Sequence, residues 1–168
     1  MPLKLDDLHK VFVSQLKDMH SAENQLVDAL PKMAAGATNA RLEQAFRDHL
    51  EETKGQITRL ERIFATLDFR PGGHRCKAME GLIEEGAEIL GEDADPEARD
   101  AAIICAAQKV EHYEIATYGT LRAFARVLGL DEAHELLTES LREERNADSQ
   151  LTDLAEHAIN RLAMLASR

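Results

Sequence analysis

The chain has 168 residues, of which 44% are apolar, and this length is enough to bury the core of one ordinary domain. Its 31 acidic and 20 basic side chains give a formal net charge of -11. That charge argues against the basic surface with which nucleic-acid binding begins, and it disfavours contact with an anionic membrane. We therefore expect a single domain over residues 1–168, with neither nucleic acid nor membrane as a partner.

The sequence contains no pattern typical of a membrane span or a secretory signal. The longest stretches without a charged side chain, 33–40 and 101–108, are far shorter than the roughly 20 residues of a spanning helix. The N-terminal residues lack the basic region, apolar region and cleavage site of a signal peptide. We therefore expect a cytoplasmic protein. Its two cysteines, Cys76 and Cys105, form no CxxC motif, and we expect Cys76 to be the more exposed.

Apolar residues recur every three or four positions along the whole chain, which predicts helices throughout and no strand. The first helix ends at Gly36, a residue suited to a helix C-terminus, and Pro31 is expected to bend it. Thr38 and Asn39 can cap a second helix. That helix ends before the Arg-Pro-Gly-Gly segment at residues 70–73.

The second half of the chain predicts one short and two long helices. An amphipathic segment at residues 79–90 is assigned to a small crossover helix. Asp95 and Pro96 are typical of a helix start, and the third long helix is predicted to run from there to Leu128. A fourth begins at Asp131 and runs close to the C-terminus.

Four long helices predict an all-α four-helix bundle. The links after the first and third long helices are short, so each of these helices forms an antiparallel hairpin with the next. The link between the second and third long helices spans residues 68–95. The predicted fold is therefore a bundle with a long crossover between helices 2 and 3, and this crossover contains the short extra helix.

Polar residues occupy the centres of helical stripes that should be apolar, near the middle of each long helix. They are Glu23, His49, Glu114, Glu144 and Asp148. In an antiparallel bundle these positions meet in one layer, where burial costs several kcal/mol per ion unless a cation compensates. No Lys or Arg lies at the stripe centres. Two divalent metal ions would balance the four carboxylates, with neutral His49 as a nitrogen ligand.

The chemistry of these side chains indicates the metal. A ligand set rich in oxygen, with one imidazole, suits iron or manganese better than a thiolate-binding metal, and zinc is a further alternative. Three neighbours stay open as ligands, supporting partners or rim charges, namely His20, Glu52 and Glu111. On the second helix, the ligand is left open among His49, Glu52 and Gln56.

Several segments resemble the YciF-like stress proteins of the ferritin-like superfamily. They are residues 18–26 (DMHSAENQL), 49–53 (HLEET) and 108–119 (QKVEHYEIATYG), with Glu143-Glu144 followed by Asp148. The resemblance covers nearly the whole chain. It implies a ferritin-like bundle, a homodimer, induction under stress and a dinuclear iron site.

The sequence departs from the usual ferritin-like ligand pattern on two helices. Ferritin-like sites use Glu-x-x-His on two helices, whereas helix 2 has His49-x-x-Glu52 and helix 4 has Glu144-x-x-x-Asp148. The predicted site is therefore poorer in histidine than the typical one.

Three functions are compatible with these features. The first is a non-haem dinuclear redox protein that oxidises iron or consumes oxygen or peroxide under stress. The second is a structural stress protein in which the metal only stabilises the fold. The third is a metal-free bundle that acts through protein contacts. Tyr113 and Tyr118 are candidates for hydrogen-bond donors beside the site, although tyrosines on a helix flank more often serve packing.

Overall fold

The structure is a computed structural model that describes residues 5–166, and those residues form helices and no strand. The six α-helices are α1 (Leu8–Gly36), α2 (Ala40–Thr66), α3 (Lys77–Gly91), α4 (Pro96–Val127), α5 (Asp131–Leu154) and α6 (Asn160–Ala166). A π-helical turn, Ala155–Ile159, joins α5 to α6.

The long helices α1, α2, α4 and α5 pack as a bundle. Helix α1 packs mainly on α2, and α4 packs mainly on α5, while α2 contacts α5 and α1 contacts α4. The crossover helix α3 packs against α1 and α4. The predicted all-α, ferritin-like bundle with a helix in its long crossover is therefore confirmed. Over the described residues, no helix combines the length and apolar character that a membrane span needs.

Short-range sequence signals determine where the helices begin. The side chain of Asn39 accepts hydrogen bonds from the backbone N–H groups of Arg41 and Leu42, at 3.0 and 3.3 Å. Asp95 caps α4 in the same way, and Pro96 occupies the first turn of that helix. Of the two residues predicted to cap α2, Asn39 therefore takes that role, whereas Thr38 contributes its backbone N–H to a contact with α4.

The last long helix starts at Asp131 and runs close to the C-terminus, as predicted, with a π-helical turn between α5 and α6. The expectation for the two cysteines is wrong. Cys76 is buried and Cys105 is exposed, the reverse of the expectation. Cys76 caps the start of α3, where its sulfur accepts from the backbone N–H of Met79 at 3.4 Å. The loop before α3 packs against the bundle, which a local reading of the sequence does not show.

The interior of the bundle is apolar at both ends and polar near the middle. Fully buried side chains such as Phe12, Leu42, Phe64 and Leu121 belong to one apolar cluster that extends through the bundle. Gly36, at the end of α1, lies so close to α3 that an added Cβ would overlap Leu90. The crossover helix therefore packs tightly against the end of α1.

Candidate metal centre

Three helices bring four polar side chains together in the interior. His49 comes from α2, Glu111 and Glu114 from α4, and Glu144 from α5, and all four are buried. One ligand atom from each lies within 4.8 Å of the others. The Nε2 atom of His49 lies 3.5 Å from Glu111, 3.8 Å from Glu144 and 3.9 Å from Glu114. We refer to these four residues as the His/Glu cluster.

Helical periodicity explains why these residues meet. Glu111 and Glu114 are three positions apart on α4, so their side chains project from the same face. Glu144 lies between buried Leu141 and Leu151 on α5. Because each polar residue lies on the apolar face of its helix, packing of the helices through those faces buries the polar residues together.

The remaining long helix, α1, contributes Glu23 to the surroundings of the cluster. Its side chain is fully buried, and the hydroxyl of Tyr118 donates a hydrogen bond to its Oε1 atom. The same carboxyl interacts electrostatically with Glu144 and His49. The structure therefore brings together four of the five residues that the helical stripes predicted, Glu23, His49, Glu114 and Glu144, and adds Glu111, whose role the sequence had left open. Asp148, the fifth, lies outside this group.

Six buried atoms of Glu23 and the His/Glu cluster have no hydrogen-bond partner within the protein. They are Glu23 Oε2, His49 Nε2, Glu111 Oε2, both carboxylate oxygens of Glu114, and Glu144 Oε2. Buried polar side chains normally have partners, so a convergent group of this kind requires an explanation. Among the described residues, His49 is the only basic side chain that pairs with Glu111, Glu114 or Glu144.

Burial also changes the acidity of these groups. It raises the pKa of Glu23 to about 8, with the charge of Glu144 adding to the effect, and it raises the pKa of Glu111 and Glu114 well above the usual range. Burial would lower the pKa of His49, but Glu111 and Glu144 outweigh it and raise the pKa to about 10. Without a cation, the cluster therefore retains protons that a bound metal would displace.

Unpartnered oxygens, an imidazole and stored protons together fit a divalent cation. Carboxylate and imidazole ligands suit iron or manganese, and zinc accepts the same donors. No cysteine belongs to the cluster of described residues. The residues present are therefore those that such an ion requires.

Three of the residues considered from sequence lie outside the His/Glu cluster. Glu52 is partly exposed, and its Oε2 lies 3.4 Å from Nδ1 of His49, where it can orient the ring. Asp148 accepts a hydrogen bond from Gln108 at 3.0 Å and lies 3.4 Å from His112. His20 contacts Glu61 and Phe64.

Gln56 is buried beside the cluster as a hydrogen-bond donor. Its amide donates to Glu144 and, at 3.1 Å, to Glu143. Arg59 pairs with Glu143 and donates to Ser140 at 3.0 Å. Sequence reasoning missed the Arg59–Glu143 pair, although the position of Glu143 directly before Glu144 was a usable signal.

The two tyrosines have different surroundings. Tyr118 contacts Glu23 directly, as described above. Tyr113 instead donates to Asp18 at 2.7 Å and lies 3.0 Å from the sulfur of Cys76. His74 also contacts Asp18, at 2.8 Å. We refer to Asp18, His74, Cys76 and Tyr113 as the Asp18 cluster.

A polar cleft adjoins the His/Glu cluster between α2 and α5. Its volume is about 170 Å³, and its lining includes His49, Glu111, Glu52 and exposed Asp48. Two cluster residues therefore line an acidic opening of the kind that attracts cations.

A four-helix bundle with a crossover helix and buried carboxylates on facing helices defines the ferritin-like class of proteins. Comparison with known proteins shows the family. The model of a family described as a domain of unknown function, DUF892, matches residues 7–164. The chain belongs to this family.

The chain is also similar to individual proteins of known sequence or structure. Protein YciF of Escherichia coli strain K12 is 47% identical over 162 residues, which cover 96% of this chain and 98% of that protein. The crystal structure of the E. coli stress protein YciF matches with a TM-score of 0.90 and 48% identity, over 93% of this chain and 99% of that one. The resemblance to YciF-like stress proteins is therefore confirmed.

Two further solved structures share the fold. YcfI from Rhodopseudomonas palustris, for which a structural role has been suggested, has a TM-score of 0.86 and 45% identity, over 90% of this chain and 97% of that one. A protein from Xanthomonas campestris pv. campestris has a TM-score of 0.79 over 96% of this chain and 99% of that one. Its identity is 20%, so that match supports the fold alone.

Proposed function

We propose that this protein is a stress-associated, ferritin-like metalloprotein that binds two divalent metal ions and oxidises iron or consumes oxygen or peroxide. Iron is the preferred metal, with manganese and zinc as alternatives. The observation that carries the proposal is the convergence of five carboxylate oxygens and one imidazole nitrogen, all buried and without hydrogen-bond partners, in the middle of the bundle. Such atoms destabilise the fold unless a ligand of opposite charge satisfies them.

Charge balance supports two ions rather than one. Glu23, Glu111, Glu114 and Glu144 are four buried carboxyl groups, and two divalent cations would supply the matching charge. His49 would then be neutral and offer a ring nitrogen. Glu52 and Asp148 remain candidates for ligands that approach from the partly exposed side.

The chain's own residues would prepare this centre for chemistry. Bound iron supplies electron transfer to dioxygen or peroxide. Tyr118 holds one oxygen of Glu23, and Glu52 orients the ring of His49. Glu111 and Glu114 hold protons in the metal-free state and release them when a cation binds.

The first experiment is a measurement of metal content after aerobic purification without a metal-affinity tag. About two irons per chain, with absorbance that changes on addition of peroxide, would support the proposal, as would turnover that the Glu114→Ala variant lacks. Retained turnover in the Glu114→Ala variant, or a single unreactive zinc, would contradict the redox function.

A structural role is the second candidate, and the suggestion made for YcfI of R. palustris favours it. In that case the metal would link α1, α2, α4 and α5 and stabilise the fold by mass action. The Glu114→Ala variant would then melt at a lower temperature than the metal-loaded wild type. No oxygen or peroxide turnover would be present in either protein.

We also propose that the protein is a homodimer. Leu162 and Leu165 on α6 are 46% and 50% exposed, and a second copy would cover such apolar surface. Light scattering of the wild type would give the mass of a dimer. Substitution of both leucines by lysine tests whether α6 forms the interface. The variant would be a monomer if the interface lies on α6 and would remain a dimer if it lies elsewhere.

A further inference from the structure

An apolar cavity of about 80 Å³, partly open to solvent beside exposed Lys32 and Ala87, lies between α1, α3 and α4. Met33, Leu82, Ile83 and Ala106 belong to its walls. Glu111, a member of the His/Glu cluster, also lines it. The cavity therefore adjoins the candidate metal centre at a different side from the polar cleft, whose walls come mainly from α2 and α5.

The lining of this cavity is almost entirely apolar. Glu111 and exposed Lys32 are the charged residues among those that line it. A water molecule needs two to four polar partners to occupy a buried site. The apolar walls offer too few, so the inner part of this space, which is shielded from solvent, favours an apolar occupant.

The absence of a side chain at Gly86 keeps this space open. Gly86 is buried within α3, and an added Cβ would lie 3.6 Å from the sulfur of Met33 and 4.0 Å from the Cβ of Ala106. These are ordinary contact distances, so packing does not require glycine at this position. Glycine inside a helix is about 0.5–1 kcal/mol less favourable than alanine. The residue therefore leaves a space that alanine would begin to fill.

The size and lining of the cavity select its occupant. An apolar cavity of about 150 Å³ stays dry and binds benzene or xenon. A cavity with about half that volume still admits a single small apolar molecule such as xenon or dioxygen. Hydrogen peroxide would give up its hydrogen bonds to water on entering this apolar cavity. Dioxygen is apolar and gives up none.

We propose that this cavity binds dioxygen next to Glu111. The gas then reaches the His/Glu cluster from the side of α3, while cations reach it through the polar cleft beside Glu52. The identity of the gas rests on the proposed redox function. The presence of a binding site for a small apolar molecule rests on the cavity alone.

Xenon is the probe for the cavity itself, because it needs no metal and no turnover. We expect saturable xenon binding to the purified wild-type protein, followed by xenon NMR and by shifts of the methyl signals of Leu82 and Ile83. Gly86→Ala should weaken this binding and Gly86→Leu should abolish it. Gly81→Leu is the matched control, because Gly81 is an exposed residue of the same helix with no neighbour near its Cβ position. Absence of xenon binding in the wild type, or unchanged binding in both Gly86 variants, would overturn the proposal.

Iron oxidation tests the identity of the gas. With iron(II) loaded, Gly86→Leu should slow oxidation by dioxygen several-fold and leave oxidation by peroxide unchanged, while Gly81→Leu changes neither. Equal rates with dioxygen in wild type and variant would overturn the dioxygen assignment. If the wild type oxidised no iron with either oxidant, the proposed redox function would fail together with that assignment. Xenon binding would then test only whether the cavity binds a small apolar molecule.

Discussion

The His/Glu cluster and the Asp18 cluster are both polar regions within the helical bundle, but their hydrogen bonding differs. In the Asp18 cluster, Tyr113 donates to Asp18, and the backbone N–H of Cys76 donates to Ser21 at 2.9 Å. Gln25 donates to the carbonyl of Cys76 at 3.1 Å. In the His/Glu cluster and neighbouring Glu23, six buried polar atoms have no hydrogen-bond partner in the protein.

This difference separates a structural role from a functional one. The bonds of the Asp18 cluster tie the loop before α3 to α1 and α4, so the fold alone explains them. The His/Glu cluster is unfavourable for the fold as it stands, because its carboxyl groups are desolvated without compensation. Substitutions in the first region should therefore reduce stability, whereas substitutions in the second should reduce ligand binding.

Removal of one carboxylate from the His/Glu cluster should have the largest effect. A ligand that binds the folded state stabilises it by about 4 kcal/mol at a thousandfold excess over Kd. We expect iron(II), manganese or zinc to raise the melting temperature of the wild type and to leave that of Glu114→Gln unchanged. The metal-free variant should be at least as stable as the metal-free wild type, because a buried ionisable group has been removed. Thermal melts with and without metal measure both effects.

Asp18→Asn is the matched control for that substitution. It should lower the stability of the metal-free protein and leave the metal-dependent increase intact. A metal-dependent increase that survives in Glu114→Gln would show that the cluster does not bind the ion.

Asp100 provides a second contrast with the His/Glu cluster, because it is a buried carboxylate whose two oxygens both accept hydrogen bonds. Its two oxygens accept from the backbone N–H groups of Thr38 and Asn39, at 2.8 and 2.7 Å. Hydrogen bonds to charged groups contribute about 1.5–3 kcal/mol each, so Asp100→Ala should lower the free energy of unfolding by about 3 kcal/mol. Urea titration measures this, with exposed Asp153→Ala as the control. A change below that of the control would mean that these bonds contribute nothing.

The pH dependence of the metal-free protein follows from the same cluster. The pKa of Glu23 is higher in the folded protein, at about 8, than in the unfolded chain, so the folded state binds more protons. The pKa of His49, about 10, is also raised, and its contribution is lost as pH rises from its unfolded value through 10. Both groups make the stability fall as pH rises.

We therefore expect the metal-free protein to lose stability progressively as pH rises from about 4.5, the pKa of an unfolded glutamate, to about 10, where folded His49 loses its proton. Urea titrations at several pH values test this expectation. Glu114→Gln should show a weaker dependence, because one of the raised carboxyl groups is gone. Stability that rises with pH would contradict the electrostatics of the cluster.

The smallest effect is expected at the tyrosines. Tyr113→Phe removes the hydrogen bond to Asp18 and should cost about 1 kcal/mol of stability without a change in metal binding. Tyr118→Phe releases one oxygen of Glu23 and should change metal affinity instead. Calorimetric titration with metal distinguishes the two variants. If Tyr118→Phe bound metal with the affinity of the wild type, Tyr118 would have no role at the metal centre.

Much of the candidate centre could be predicted because helical periodicity is a local property. Glu23, His49, Glu114 and Glu144 lie on stripes whose other members are apolar, so any bundle that buries those stripes buries these residues too. The start of α2 at Asn39 and of α4 at Asp95 is equally local, because a capping side chain bonds to the backbone within three residues.

Other features depend on contacts between segments that are distant in the chain. Asp148 was predicted at a stripe centre and Glu111 beside one, yet the rotation of α4 and α5 against their neighbours places Glu111 inside and Asp148 near the surface. Cys76 is buried because the crossover packs on α1 and α4. The periodicity of each helix therefore determined the composition of the polar layer, while the packing of helices and crossover decided which atoms meet there and where the cavity at Gly86 opens.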